Sequence, residues 1–266
     1  MLIDFHAHLF QEEGYGASLA ETARSLGFDY MCLGGGQPQY GLASNEDVLR
    51  EAETYPELFL PFAVLDLARE GANKVQELRQ AGFRGLRLTV PPEPYDSERF
   101  APVYEAAQSL GMPVVFHTGF APVTPLDGAL DVRCERMRPV HLDTLARHFP
   151  HLKIVGTSLG YPWCEEALET LRRHSNVYFD ISGDMFQKKG LSFFRSLFRA
   201  EASAAPAARS TDTCLPQLVF GSAVKHDDVA AAERDHQRLF RALALNDNMI
   251  DAIMGSTAAK LLSGKK

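Results

Sequence analysis

Eight short apolar segments alternate with helix-like segments along this chain of 266 residues, and this alternation most constrains its fold. Consecutive strands separated by helices pair in parallel through right-handed crossovers, and eight such units close into a barrel. We therefore predict an α/β protein, a single-domain (β/α)8 TIM barrel over residues 1–266. The segments are Ile3–His8, Phe28–Leu33, Leu58–Leu65, Phe83–Leu88, Pro113–His117, Leu152–Thr157, Val177–Ile181 and Gln217–Phe220. The alternative, an open doubly wound sheet, usually has a glycine-rich phosphate turn after its first strand, whereas here that strand ends in His-Ala-His.

Local signals add detail to this prediction. Ser44, followed by acidic residues, predicts the start of a helix that runs to about Thr54. Pro61 interrupts the third apolar segment, which is typical of an edge strand or a bulge. Residues 201–213 are rich in Ala and Ser and weakly patterned, so we expect a mobile surface loop there.

The composition excludes several functional classes. A net charge of −7 without any basic run argues against nucleic-acid binding. No apolar run approaches the length of a membrane span, and the N-terminus has no apolar core typical of a signal peptide. The four cysteines are far apart without a CxxC pair, which is typical of a reducing compartment. We expect a cytoplasmic protein that acts on a small molecule, with homo-oligomer formation left open.

Three histidines lie where a barrel carries its chemistry. His6 and His8 are two residues apart in the first strand, so both imidazoles point the same way, and His117 ends the fifth strand. The carboxyl ends of barrel strands share one mouth, and three imidazoles with an open fourth position form a catalytic metal site. The alternative is that these histidines are packed or capping residues that bind no metal. We predict one divalent ion, zinc, with manganese or iron as alternatives.

The sequence resembles the amidohydrolase superfamily, specifically its amidohydrolase-related branch of metal-dependent TIM-barrel hydrolases and decarboxylases. The resemblance runs through most of the chain, in IDFHAH, GFRGLRL, PVVFHTG, HLDTLARHFPHLKIV, LGYPWCEEALETLRRHSNVYFDISG, LVFGS and IMGSTAAKLL. It implies a TIM barrel and a divalent metal, with His6, His8 and His117 as its ligands.

Two positions depart from the family pattern. The sixth strand of the family usually ends in Ala-His-Leu-Gly, whereas this chain has Ser158 where the histidine is expected. The eighth strand usually reads Phe-Gly-Ser-Asp, and here Ala223 replaces the aspartate that ligates metal and accepts a proton from water. A missing general base typically costs ~10²–10⁴ in rate, so a substitute is needed. The candidates are Asp180, at the end of the seventh strand, and His226, after the eighth, although both could simply be capping or surface residues.

Arginines are the candidate substrate-binding residues, together with the Ser158 hydroxyl. Arg87 ends the fourth strand, where some members of the superfamily have a metal-bridging lysine, and it could pair with a substrate carboxylate. Strand alternation directs either Arg87 or Leu88 into the barrel and leaves the choice open. Arg136 and Arg138, in the long loop after the fifth strand, are further carboxylate candidates.

Three interpretations of function follow. The first is a metal-dependent hydrolase or non-oxidative decarboxylase of a small, carboxylate-bearing substrate, with an atypical site. The second is a catalytically impaired family member that serves as a binding or non-catalytic protein. The third is a barrel whose histidines bind no metal.

Overall fold

A parallel sheet of eight strands, in the order β1 to β8, forms the centre of this computed structural model. The structure describes residues 1–36, 40–121, 123, 131–183, 185, 189–199 and 215–263. The strands are β1 (Ile3–His8), β2 (Tyr30–Gly34), β3 (Phe59–Val64), β4 (Gly85–Leu88), β5 (Val114–Phe116), β6 (Ile154–Gly156), β7 (Val177–Asp180) and β8 (Leu218–Val219).

Backbone hydrogen bonds close this sheet into a barrel. The N–H of Phe5 donates to the carbonyl of Phe220 at 2.9 Å, and the N–H of Ala223 donates to the carbonyl of His6 at 2.8 Å. These bonds join β1 to the segment after β8. The predicted single-domain TIM barrel is therefore confirmed.

Helices follow the strands along the chain. They are α1 (Tyr15–Leu26), α2 (Asn45–Thr54), α3 (Ala72–Gln80), α4 (Ala101–Ser109), α5 (Val140–His148), α6 (Cys164–Arg173), α7 (Leu191–Arg199), α8 (Val229–Ala242), α9 (Asp247–Asp251) and α10 (Thr257–Leu262). A π-helical turn at Ala252–Ser256 joins the last two. Among the described residues, no helix is both long and apolar enough to cross a bilayer.

Two local predictions have opposite outcomes. Ser44 caps α2 as predicted, in a reciprocal capping box with Asp47. The prediction that Pro61 marks an edge strand or a bulge is wrong, because β3 lies between β2 and β4 and Pro61 pairs in regular register with Leu33. A closed barrel has no edge strand, so the missing N–H of a proline must be accommodated inside the sheet. The predicted loop at 201–213 and Cys214 lie outside the described residues.

The core has two layers that leave one end of the barrel for chemistry. Inward side chains such as Phe5, Phe62 and Val155 form one cluster, and Ala258 and Leu261 of α10 pack against it. The larger cluster fills the space between the strands and the surrounding helices. The polar side chains buried at the opposite, carboxyl ends of the strands therefore form the barrel mouth.

Candidate functional site

A cavity of about 610 Å³ opens at the carboxyl ends of the strands. This volume suits a small-molecule site, and its wall combines apolar side chains with a few polar ones. The polar lining residues are accompanied by Ala223 and are His6, His8, Tyr40, Arg87, Thr89, His117, Thr118, Thr157, Ser158, Tyr161 and Ser182.

His6 is held by a buried carboxylate that lies 174 positions later in the sequence. Its Nδ1 lies 2.8 Å from an Asp180 oxygen, and the Asp180 side chain is 1% exposed. The other Asp180 oxygen accepts the N–H of Ser158 at 2.6 Å and the Ser182 hydroxyl at 2.5 Å. With Nδ1–H donating to a carboxylate, the Nε2 of His6 carries a lone pair.

The same contacts keep Asp180 ionised. Burial works to raise the pKa of its carboxyl, but the nearby His6 and the hydrogen bonds from His6, Ser182 and Ser158 outweigh burial, so the pKa lies below its ordinary value. Gly221 makes the close packing possible, because a Cβ there would press on both the His6 and Asp180 side chains. The pocket thus contains an oriented Asp–His pair of the kind that acts as a general base.

Arg87, rather than Leu88, enters the barrel, and its side chain runs toward β1 and β2. Its Nη2 donates to the carbonyls of Ala7 at 2.9 Å and Cys32 at 2.8 Å. The residue is 5% exposed, and among the described residues no carboxylate forms an ion pair with it. Burial lowers the pKa of the guanidinium to about 10, so it stays positively charged near neutral pH. Its Nε is buried without a hydrogen-bond partner.

His8 accepts a hydrogen bond from this guanidinium. Arg87 Nη1 lies 3.1 Å from His8 Nδ1, and because a guanidinium only donates, Nδ1 must be the acceptor. Burial, and then the charges of His6, Arg87 and His117, hold the pKa of His8 well below its ordinary value, although a hydrogen bond between the ring and the Gly34 backbone opposes this. The ring is therefore neutral and carries its single proton on Nε2.

His117 has a free nitrogen inside the pocket. Its Nε2 is buried without a hydrogen-bond partner, whereas a hydrogen bond with the backbone of Phe120 favours the protonated ring. Burial outweighs that bond and lowers the pKa of His117 to about 4. His117 is therefore a neutral imidazole at the cavity wall, with no hydrogen-bond partner for its Nε2 among the described residues.

Ser158 and Ala223, the positions predicted to depart from the family pattern, both line the pocket and both have a left-handed backbone. Their φ angles are 52° and 51°, and Leu159 next to Ser158 has a φ of 44°. Such conformations are strained for residues other than glycine and concentrate at functional sites. The Ser158 hydroxyl lies 3.3 Å from that of Ser182, whereas the methyl group of Ala223 offers no donor or acceptor.

The other predicted residues lie away from this cavity. His226 Nδ1 is 3.0 Å from Asp227, in a short 3-10 turn before α8. Arg136 pairs with Asp131 at 2.8 Å. Arg138 pairs with Glu166 and covers the ring of Trp163. The three side chains are absent from the residues that line the cavity in the described part of the chain.

Several polar residues of the site were not predicted, and two of them, Ser182 and Asp4, support the residues that were. Ser182 supports Asp180, and the Asp-x-Ser spacing at the end of β7 was a signal that could have found it. Asp4 is fully buried and accepts the N–H groups of His6 at 2.8 Å and Ser222 at 3.1 Å. It therefore links β1, which carries His6 and His8, to the segment after β8.

The amidohydrolase family model matches residues 3–264, which is nearly the whole chain. The chain belongs to the amidohydrolase family. No curated protein sequence matches it.

Solved structures agree on the fold of this amidohydrolase-family chain. An uncharacterized TIM-barrel protein from Bordetella bronchiseptica is 20% identical, with a TM-score of 0.73 and 98% of each chain covered. A probable 2-pyrone-4,6-dicarboxylic acid hydrolase from Acinetobacter baumannii, with citric acid bound, is 16% identical, with a TM-score of 0.65 and 98% of each chain covered. A 5-carboxyvanillate decarboxylase from Novosphingobium aromaticivorans, with manganese and a nitrobenzoic acid, is 14% identical, with a TM-score of 0.60. The match covers 91% of this chain and 78% of the decarboxylase chain.

Members of the family are usually metal-dependent, and the decarboxylase above contains manganese. In this chain His6 and His117 each have an Nε2 lone pair, but His8 has a proton on its Nε2 because Arg87 donates to its Nδ1. In the described part of the chain, no three His, Cys, Asp or Glu side chains form a group that could hold a metal ion. The arrangement does not fit a three-histidine metal site. The predicted zinc ion stays a prediction for elemental analysis to decide.

Proposed function

We propose that this amidohydrolase-family chain is a hydrolase or decarboxylase of a small substrate that carries a carboxylate. The observation that carries the proposal is the Arg87 guanidinium, which is buried beside the cavity without an ion-pair partner among the described residues. An unpaired buried charge is costly, and a bound carboxylate would neutralise it. The neutral His117, whose Nε2 has no hydrogen-bond partner, also suits such a ligand.

The names of two structural neighbours are consistent with this substrate class. One is a probable hydrolase of a dicarboxylic acid with citric acid bound, and the other is a decarboxylase with a benzoic acid bound. Both share only the fold with this chain, so the argument depends on the Arg87 environment.

Within this proposal the side chains have separate roles. His6, oriented by Asp180 at 2.8 Å, takes a proton from water or from the substrate at Nε2. His8 donates its Nε2–H to a substrate oxygen, and Arg87 polarises that donor. Ser158 lines the wall as an uncharged hydrogen-bonding group.

A thermal-shift screen of matched pairs tests the binding part. Small mono- and dicarboxylates should raise the melting temperature, whereas their amides and methyl esters should not. A ligand at 100 times its Kd stabilises by about 2.7 kcal/mol, which is easily measured. Arg87→Met should remove the response, and Arg84→Met, an exposed arginine of the same segment, should keep it. A response confined to neutral compounds would contradict the proposal.

Turnover is then tested on carboxylate-bearing lactones, esters, amides and aromatic acids. Hydrolysis or loss of CO₂ from one class identifies the reaction. Carboxylate binding without turnover across the panel would instead support the catalytically impaired, binding interpretation, which the Ala223 position favours.

A further inference from the structure

Arg87 and a metal ion compete for the same histidine. The Arg87 Nη1 bond leaves His8 Nδ1 as acceptor and Nε2 as the protonated nitrogen. A neutral imidazole that binds a metal through Nε2 carries its proton on Nδ1, where it would face the guanidinium N–H. The two arrangements therefore exclude each other as long as Arg87 keeps its position.

Arg87 is held firmly in that position. Its Nη2 donates to two backbone carbonyls, at 2.9 Å and 2.8 Å, so the guanidinium cannot turn without losing both hydrogen bonds. The side chain also lies directly over Gly34, where any Cβ would collide with the guanidinium. Displacing Arg87 would therefore cost backbone hydrogen bonds as well as packing.

The charge of Arg87 acts in the same direction as the hydrogen bond. A fixed cation in contact with His8 repels a divalent ion at the three histidines, and repulsion is strong where little water screens it. Position 223 offers no carboxylate to offset this repulsion, because Ala223 lines the cavity there, and the buried Asp180 carboxylate is already hydrogen-bonded to His6, Ser158 and Ser182. His6 and His117 alone leave only two nitrogen ligands.

We infer that the Arg87 guanidinium takes the place of the family's metal ion in this barrel, holding His8 as a hydrogen-bond donor and keeping divalent cations out. The cation beside the histidines thus belongs to the chain itself. The inference concerns the charge of the site and holds whatever substrate the cavity accepts.

Elemental analysis of untagged protein, grown with added zinc and manganese, tests the wild type directly. We expect well under one ion per chain, and no d–d absorption from histidine-bound Co²⁺ on titration. Arg87→Met should bind Co²⁺ on the order of 10- to 100-fold more tightly, the range over which groups around ligands alter metal affinity. Adding His8→Ala to that variant should cancel the gain, and Arg84→Met should behave as wild type.

Two results would overturn the inference. One is a wild type that retains about one ion per chain, lost in His6→Ala. The other is an Arg87→Met protein, folded by circular dichroism, that binds Co²⁺ no better than wild type.

If Arg87→Met does not fold, ¹⁵N NMR of the wild-type imidazoles tests the inference instead. His8 should be the neutral Nε2–H tautomer and should not respond to stoichiometric Zn²⁺. An Nδ1–H tautomer, or a shift of His8 on adding Zn²⁺, would refute it. Failure of the carboxylate screen alone would reject the proposed function and leave this inference standing.

Discussion

At the scale of single residues, Asp180 does most to define the chemistry of the pocket. Its two oxygens accept from His6, Ser158 and Ser182, and all these donors lie within 2.9 Å. One carboxylate thus orients the base and holds the strained backbone at Ser158. Its position at the end of the seventh strand made Asp180 a candidate, but its partner His6 is 174 positions away in the chain.

Asp180→Asn should lower kcat by about 10²–10⁴ and leave KM for the carboxylate substrate nearly unchanged. The asparagine amide has one acceptor oxygen where Asp180 has two, so His6 loses its orientation. Arg87 still binds the carboxylate of the substrate. Steady-state kinetics on the substrate found in the panel measures the split. Asp235→Asn, on the surface of α8, is the matched control, and an equal fall for both variants would contradict the role.

At the scale of elements, the backbone at the end of β2 must leave room for the Arg87 side chain of β4, which helps to build the site. Gly34 ends β2, and the Arg87 side chain from β4 crosses it to reach β1. The glycine is required by close approach of a side chain and not by an unusual φ angle. This requirement explains why the triple-glycine segment begins where the strand ends.

Gly34→Ala should destabilise the protein by roughly 1–3 kcal/mol, the usual cost of overpacking, and should also abolish the carboxylate response. The added Cβ pushes the guanidinium from its carbonyl partners. Urea denaturation and the thermal-shift screen measure the two effects. Gly71→Ala is the control, since a Cβ there meets nothing within 4 Å. Unchanged ligand binding in Gly34→Ala would show that Arg87 tolerates displacement.

At the scale of the whole molecule, acid should weaken the fold through a buried histidine that does not line the cavity. His236 of α8 is 2% exposed, and its ring packs edge-on against Phe220 at 4.8 Å. Burial lowers the pKa of His236 to about 4, although its bond to Ala232 and the charges of Asp180 and Asp235 oppose this. Helix α8 thus docks on the barrel through a neutral imidazole.

The sign of this effect follows from proton uptake. Between pH 6.5 and 4 the unfolded chain protonates this histidine and the native chain does not, so stability is full above that range and falls as pH drops. The loss from His236 should reach roughly 3 kcal/mol by pH 4. Urea denaturation at pH 7, 5 and 4 measures it, and His236→Gln should flatten the curve. An equally steep curve in that variant would assign the loss to other groups, such as His117.

The sequence by itself determined the barrel and the end of it that carries chemistry. Strand and helix periodicities are local, so the order of eight units could be predicted without knowing any contact between them. The same reasoning located His6, His8, His117 and Asp180 at strand ends, and the cavity confirms that the three histidines share one mouth. Pro61 was misjudged because whether a strand is an edge depends on closure of the whole sheet.

Only the tertiary structure decided what those residues do to one another. Alternation left open whether Arg87 points inward, and the inward direction follows from how β4 sits against β1 and β2 in the closed barrel. Arg136 and Arg138 looked equivalent to Arg87, but nearby carboxylates neutralise both. The reason is physical: the charge, tautomer and availability of a side chain depend on neighbours far away in sequence, which local patterns do not encode.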